Sequence, residues 1–513
     1  ITSGQRNILI GGNAGDALTT GESNVAIGHG ALSAEDTTGS TTAIGYKALN
    51  LQNAAAESYN VAVGFEAGKA VTTGIKNTLI GSEAGVALTV GNYNTVLGYG
   101  ALNASVDGDY NTAIGFQALL AYEDGDGNGH NTAVGASSQT SATTGQFNTS
   151  LGSLSMGSGV TTGDGNTVLG YSAGLAITSG AENVLIGSNA GDALTTGYFN
   201  VGIGHEALST EDGHGYNVAV GHHALRVQNA GADAYNVAVG YAAGVAITTG
   251  IKNTIIGGLA GDALTEGSSN VAIGYGAMSS ANGTESRNIA IGQFALFQLN
   301  DNGNNYNTAV GYAAGENITT GIKNTLLGGL AGDALTTGEG NVTVGQSALS
   351  STAVGSDNVA LGKEALTANV NGSASIAIGS LALQDQAPTG TGNIYNVAIG
   401  HHAGKEITTG VENIIVGGLA GDALTTGSYN VAIGKSALST EDAHGYNVAV
   451  GYQALANLNA GEDAYNIGVG YNAGVELTTG VRNTIIGGLA GDALTTGNYN
   501  VAVGYAALSQ EDA

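Results

Sequence analysis

Two kinds of residue in this chain could do chemistry by type and spacing: acids set among glycines, and paired histidines. The run Glu123-Asp124-Gly125-Asp126-Gly127-Asn128 gathers oxygen donors on a stretch able to fold round a hard cation, so Asp124 and Asp126 are the calcium candidates. Calcium-binding β-rolls place aspartates in adjacent turns so that two turns share an ion. The aspartates of Gly15-Asp16, Gly191-Asp192, Gly261-Asp262, Gly332-Asp333, Gly421-Asp422 and Gly491-Asp492 usually recur only every fourth turn. At strand spacing that is about 19 Å, too far to share an ion, and a solvated corner is the expected role. His222-His223 and His401-His402 are adjacent pairs. Neighbours on a strand point to opposite faces, so each pair is expected to chelate poorly. Carboxylates could pair across turns, as glycoside hydrolysis requires, but nothing singles out such a pair. There is no nucleophile motif and no phosphate loop. The expectation is a protein that is not an enzyme and uses no cofactor.

The element that must position these residues is one short stretch. Asn24-Val25-Ala26-Ile27-Gly28 returns as Asn60-Val61-Ala62-Val63-Gly64, as Asn77-Thr78-Leu79-Ile80-Gly81, and onward to Asn500-Val501-Ala502-Val503-Gly504. There are about 29 copies, usually 17 residues apart. Self-similarity at a fixed short period predicts a solenoid, read here as one continuous domain over 1–513. The 88 glycines lack the Gly-X-Y period of collagen, and 42% apolar residues held in register argue against disorder. No apolar run is long enough to cross a bilayer as a helix. A net charge of −28 makes nucleic acid and anionic membrane surfaces poor partners. The absence of cysteine excludes disulfides and thiolate metal sites. The chain starts at Ile1 and stops at Ala513 inside repeats, without caps, which suggests a window from a longer fibre.

Each coil can be numbered from its Asn. Position 1 is Asn except at Thr41 and Ser375, position 4 is Ile, Val or Leu, position 5 is Gly, and position 8 is Ala except at Ser138 and Ser155. The asparagines are expected at corners, tolerating left-handed backbone and forming a hydrogen-bonded ladder. Alternation puts positions 2 and 4 on one face, so Val25 and Ile27 are expected to point into the coil, and Gly28 to make a corner. Position 3 (Ala26, Leu79, Val96, Ile255) is then expected to point outward. It is never charged, so a strand apolar on both faces needs a second cover, most simply another copy of the chain. Two coil types alternate, mostly in pairs. One reads Ala-Gly at positions 8 and 9 with an aliphatic at position 12, as in Ala14-Gly15 with Leu18; the other reads Ala-Leu, as in Ala31-Leu32. They are two ways of filling one interior.

Residues beyond the 17-residue period fall outside the Ala-Gly coils, in 52–58, 120–130, 227–234, 298–305, 384–394 and 457–464. Loops on one edge of a solenoid are where partners bind. The largest two carry the candidate partner-binding residues Tyr122, Glu123, Asp124, Asp126 and His130, and Gln384, Asp385 and the only proline, Pro388. Two aromatic columns accompany the repeat. One precedes the Asn (Tyr59, Tyr93, Tyr110, Tyr216, Tyr235), and one follows the Gly (Tyr46, Phe65, Tyr99, Tyr241) with His29, His205 and His401 in the same slot. Stacked rings would stabilise neighbouring coils, with a sugar-stacking surface as the alternative.

The recurring Asn-Val-Ala-Ile-Gly followed by a spaced Ala resembles the head repeat of YadA-like trimeric autotransporter adhesins, and the similar arrays of phage tail-fibre proteins. The resemblance implies a left-handed parallel β-roll with three chains side by side. This chain departs from the adhesin pattern in its longer period and its paired coil types. The expectation is an all-β parallel solenoid, a homotrimer, in an extracellular structural and adhesive fibre on a virion or a cell surface. Its partner would be a host-surface glycan or protein. The alternatives are a self-assembling filament or passive spacer, and further off a polysaccharide depolymerase or an ice-binding solenoid. The Thr19-Thr20 and Thr72-Thr73 pairs do not continue through intervening coils, so no flat threonine ladder is expected.

Overall fold

A computed structural model describes residues 1–123, 128–281 and 283–510. The calcium candidates Asp124 and Asp126 lie outside the described residues. The chain forms two compact units, Ile1–Asn253 and Thr254–Ala513. In the first, three-residue strands run from β1 (Ile8–Ile10) to β14 (Val237–Val239); in the second, from β15 (Thr254–Ile256) to β29 (Val501–Val503). Each strand pairs in parallel and in register with its successor within the unit, as Ile8 with Val25 and Thr254 with Val271. The described residues contain no helix. This is the expected parallel β-solenoid, with one strand per coil.

The position 5 glycine ends each strand because the next coil occupies the place of its side chain. A Cβ on Gly45 would lie 2.1 Å from the Gly64 carbonyl oxygen, and one on Gly64 2.3 Å from that of Gly81. Both also have strongly positive φ, 136° and 146°, which a larger residue adopts only with strain.

The asparagines form the expected ladder. The Asn77 carboxamide oxygen accepts the backbone N–H of Asn94 at 2.9 Å, and its Nδ2 donates to the Gly91 carbonyl at 2.8 Å. Asn94 does the same to Asn111 and Gly108. The left-handed backbone expected of these asparagines falls elsewhere: on the residue before the Asn (Tyr59, Lys76, Tyr93) and on positions 7 and 9 (Lys47, Leu49). Such a conformation costs an L-residue roughly 1–2 kcal/mol. Here it aims each peptide group along the stack, as Lys76 N–H donates to the Ser58 carbonyl and Leu49 N–H to that of Ala67.

The strand faces are the reverse of those expected. Position 3 is interior: Ala26, Leu79, Val96 and Ile255 are fully buried, whereas Ile256 at position 4 is 36% exposed. Period-2 alternation fixes which residues share a face, not which face is inside. Both faces here are uncharged, and the narrow coil takes the smaller set. The interior is filled by exchanging volume among positions 3, 9 and 12. Ala-Gly coils often carry a large position 3, and a Cβ on Gly15 would lie 2.8 Å from Leu9, one on Gly191 2.8 Å from Leu185. Ala-Leu coils pair Leu32 or Leu49 with the small Ala26 or Ala43. Where serine enters at position 8, its surroundings change with it: Ser138 lies 3.1 Å from Ser155, and Gln139 donates to Ser150 at 2.9 Å.

The reversal gives a direct test. Ile255→Asp should lower stability by several kcal/mol because an unpaired carboxylate enters a dry interior, whereas Ile256→Asp should fold with a much smaller loss. Chemical denaturation of the two variants checks this; a larger loss at Ile256 would restore the opposite orientation. Asn77→Ala should cost about 2–5 kcal/mol, since it strands the Asn94 N–H and the Gly91 carbonyl, both of which lose their partner.

Candidate functional site

With position 3 inside, positions 2 and 4 form the outer face of the sheet. In the first unit this face includes Ile8, Ile10, Leu97, Leu151 and Leu169, and in the second Ile289, Val344, Ile399, Ile414 and Ile486, all exposed. Neither column contains a charged residue in any coil. The face that was expected to need a cover is therefore present, one residue out of phase.

The aromatic columns flank it. Before the Asn, Tyr93, Tyr110, His130 and Phe147 stack at centroid distances of 4.8, 4.8 and 5.3 Å. Tyr429, Tyr446 and Tyr465 stack at 5.0 and 4.8 Å. After the Gly, His29, Tyr46 and Phe65 follow at 5.7 and 5.2 Å. Near-parallel rings at this spacing cover each other's faces and leave edges and hydroxyls outward. A sugar could stack only on the last ring of a run. Cations join the column, with Lys76 Nζ 4.9 Å above the Tyr93 ring and Arg482 donating to Tyr499 Oη at 2.7 Å.

The residues assigned to partner binding divide between core and surface. Tyr122 is fully buried, so it is a packing residue and not a contact for a partner. It occupies position 12, the interior slot that Leu18 fills elsewhere, and its place in an Ala-Leu coil hid this in the sequence. Glu123 Oε2 accepts the Val106 N–H at 2.5 Å, and exposed His130 belongs to the ring stack. Gln384 and Asp385 are half-buried, Gln384 reaching Glu364 at 3.4 Å. Pro388 is half-buried and would touch a Cβ placed on Gly372. Gln386, at position 12, is buried and holds Ser375 and Asn396 at 3.0 and 2.9 Å. Ala387 and residues 389–393 of this loop are exposed, the Gly392 carbonyl still accepting the Ser373 N–H at 3.2 Å, and Ile394 is buried again. A Cβ added to Gly231, Gly303, Gly390, Gly392 or Gly461 would meet nothing, so the insertions project off the stack.

The histidine pairs are not where alternation placed them. Positions 6 and 7 lie in the turn after the glycine, and position 7 has positive φ, 60° at His223 and 53° at Glu206. Adjacent side chains therefore converge. The His222 and His223 rings are 3.8 Å apart, and His401 and His402 3.9 Å. His205, one coil before, stacks on His222 at 5.0 Å, and Glu206 Oε2 lies 3.2 Å from His223 Nε2. Burial, with His222 beside it, holds His223 below the ordinary imidazole range despite Glu206.

Position 12 also accepts carboxylates in Ala-Leu coils. Glu211 and Glu441 are fully buried, and each caps its own corner by accepting the backbone N–H of His214 or His444 at 3.1 and 3.2 Å. The Gly-Asp corners are less solvated than expected. Asp192, Asp333 and Asp422 are half-buried, each with a buried Oδ1 that finds no hydrogen-bond donor, and burial raises their pKa.

The described residues show no cleft or cavity, and no helix long and apolar enough to cross a membrane. No family model, curated protein or solved structure matches the chain.

The buried Glu441 yields a pH prediction. Burial raises its folded pKa above the ordinary 4.5, so its contribution to stability is complete below that value and is lost as pH rises through the folded one. The melting temperature should fall as pH rises above about 4.5, and fall less in Glu441→Gln. Parallel melting-temperature profiles for the two proteins would show that Glu441 ionises without penalty.

Proposed function

We propose that this chain is the repeat shaft of an extracellular structural and adhesive fibre, assembled as a homotrimer and presenting its insertion loops to a glycan or protein on a host surface. The observation that carries the reading is the outer sheet face. The chain has 40 acidic and 12 basic residues, yet positions 2 and 4 hold none of them in either unit. An uncharged strip in each unit, aliphatic at position 4 and aliphatic or threonine at position 2, supports an interface on so acidic a protein. Its periodicity matches another copy of the same chain better than an unrelated partner, because only a copy repeats at the same interval. The adhesive part of the reading is supported by the insertion corner, where the tips at Gly231, Gly303, Gly390 and Gly461 project off the stack. The surface columns, with no cleft among the described residues, suit attachment better than catalysis.

Two experiments test the two parts. Light scattering should give a trimer mass at micromolar concentration, and Ile414→Lys, which puts a charge on the 45% exposed sheet face, should shift it toward monomer with the fold intact. A monodisperse monomer for the parent chain would overturn the assembly. Deleting 389–392 or 125–127 restores a 17-residue coil, and the first deletion leaves the buried Gln386 and Ile394 in place. Melting temperature should hardly change while attachment to the host surface falls. Unchanged attachment after both deletions would make the shaft a passive spacer.

A further inference from the structure

The repeat places positions 6 and 7 of successive coils above one another, and the left-handed position 7 turns its side chain toward position 6. In most coils the resulting four-residue patch is chemically mixed. In the coils beginning at Asn200 and Asn217 it reads His205-Glu206 beneath His222-His223. One nitrogen from each of the three imidazoles lies within 4.8 Å of the others. Glu206 extends along the same edge, its oxygens 3.9 Å from His205 Nε2 and 3.2 Å from His223 Nε2. We propose that His205, His222 and His223, with Glu206, form a binding site for a late first-row divalent cation of the nickel, copper and zinc class, tying two adjacent coils together.

The donor set argues for that class. Three imidazole nitrogens and one carboxylate suit borderline cations, whereas calcium and magnesium require oxygen. Metal–nitrogen bonds near 2.0–2.1 Å put the nitrogens of a tetrahedral site roughly 3.3 Å apart. The three nitrogens therefore need to close by at most about 1.5 Å. Side chains that are 45% exposed at His205 and 26% at His223 have room to do so. The field around the patch is mixed. The Asp192 carboxylate lies close enough to feel Glu206, which adds negative charge, while Arg226 Nη1 sits 3.6 Å from Glu206 and must release it when a cation enters.

The chain carries its own control. His401 and His402 occupy the same two positions with rings 3.9 Å apart, but the coils on either side offer Ser380-Leu381 and Gly418-Leu419 there. That pair has two imidazoles and no third.

The test is calorimetric titration of the full chain with Zn²⁺, in excess Mg²⁺ to occupy the acidic surface. The expected result is one tight site per chain, weakened at least tenfold by His205→Gln and by His223→Gln and unchanged by His402→Gln. Zn²⁺ should also raise the melting temperature of the parent and of His402→Gln, and not that of His205→Gln. Circular dichroism in the absence of metal confirms that each variant is folded. Equal zinc affinity in the parent and the His205→Gln, His223→Gln double variant, or no saturable binding by the parent at micromolar Zn²⁺, would overturn the site.

Discussion

Every coil must hydrogen-bond its peptide groups to the coil beside it, because strands of three residues have no other partner for them. That constraint sets most of what recurs. The glycine at position 5 leaves room for the neighbouring carbonyl, and the asparagine supplies a donor and an acceptor where the chain turns. Bulky residues such as Tyr93 and Leu49 accept left-handed backbone because the alternative is a buried peptide group with no partner. Each of these choices is local, but none is explained by its own coil. Each is explained by the coil above or below.

The same constraint leaves a narrow interior, which governs the two coil types. Leu9, Leu185 and Ile255 fill it from the strand, and glycine at position 9 then makes way; Leu32 and Leu49 fill it from the turn, and alanine on the strand makes way. In the Ala-Leu coils position 12 varies, from the buried apolar Tyr122, Leu299 and Leu458 to polar residues. In some it takes Gln52, Gln386, Glu211 or Glu441, which cap the corner, and in the coils of Gln52 and Gln386 the extra residues follow it. The tolerance of one class of coil for insertions is thus a packing property before it is a functional one.

A solenoid multiplies whatever a single position presents. Uncharged residues at positions 2 and 4, aliphatic or threonine at the first and aliphatic at the second, become a strip, and rings before the Asn become a stack whose faces are already covered. A discrete site arises where neighbouring coils depart from the repeat together, as at His205, His222 and His223. Such sites are read from pairs of coils and not from a motif within one.

The amino-acid sequence alone determined the architecture: the parallel coils, their period, the interior alanine column, the asparagine ladder and the corner that takes insertions. Repetition carries that information, since a residue required at every coil is required by stacking. Which strand face lies inside was left to the tertiary structure, because Ala26 and Ile27 are both apolar and alternation is symmetric between faces. The fate of Tyr122 was hidden likewise, since only the closed coil shows that position 12 turns inward even where a loop begins. The convergence of His222 with His223 depended on a positive φ at position 7, a conformation uncommon outside glycine and held here by the His223 N–H bond to the His205 carbonyl of the neighbouring coil.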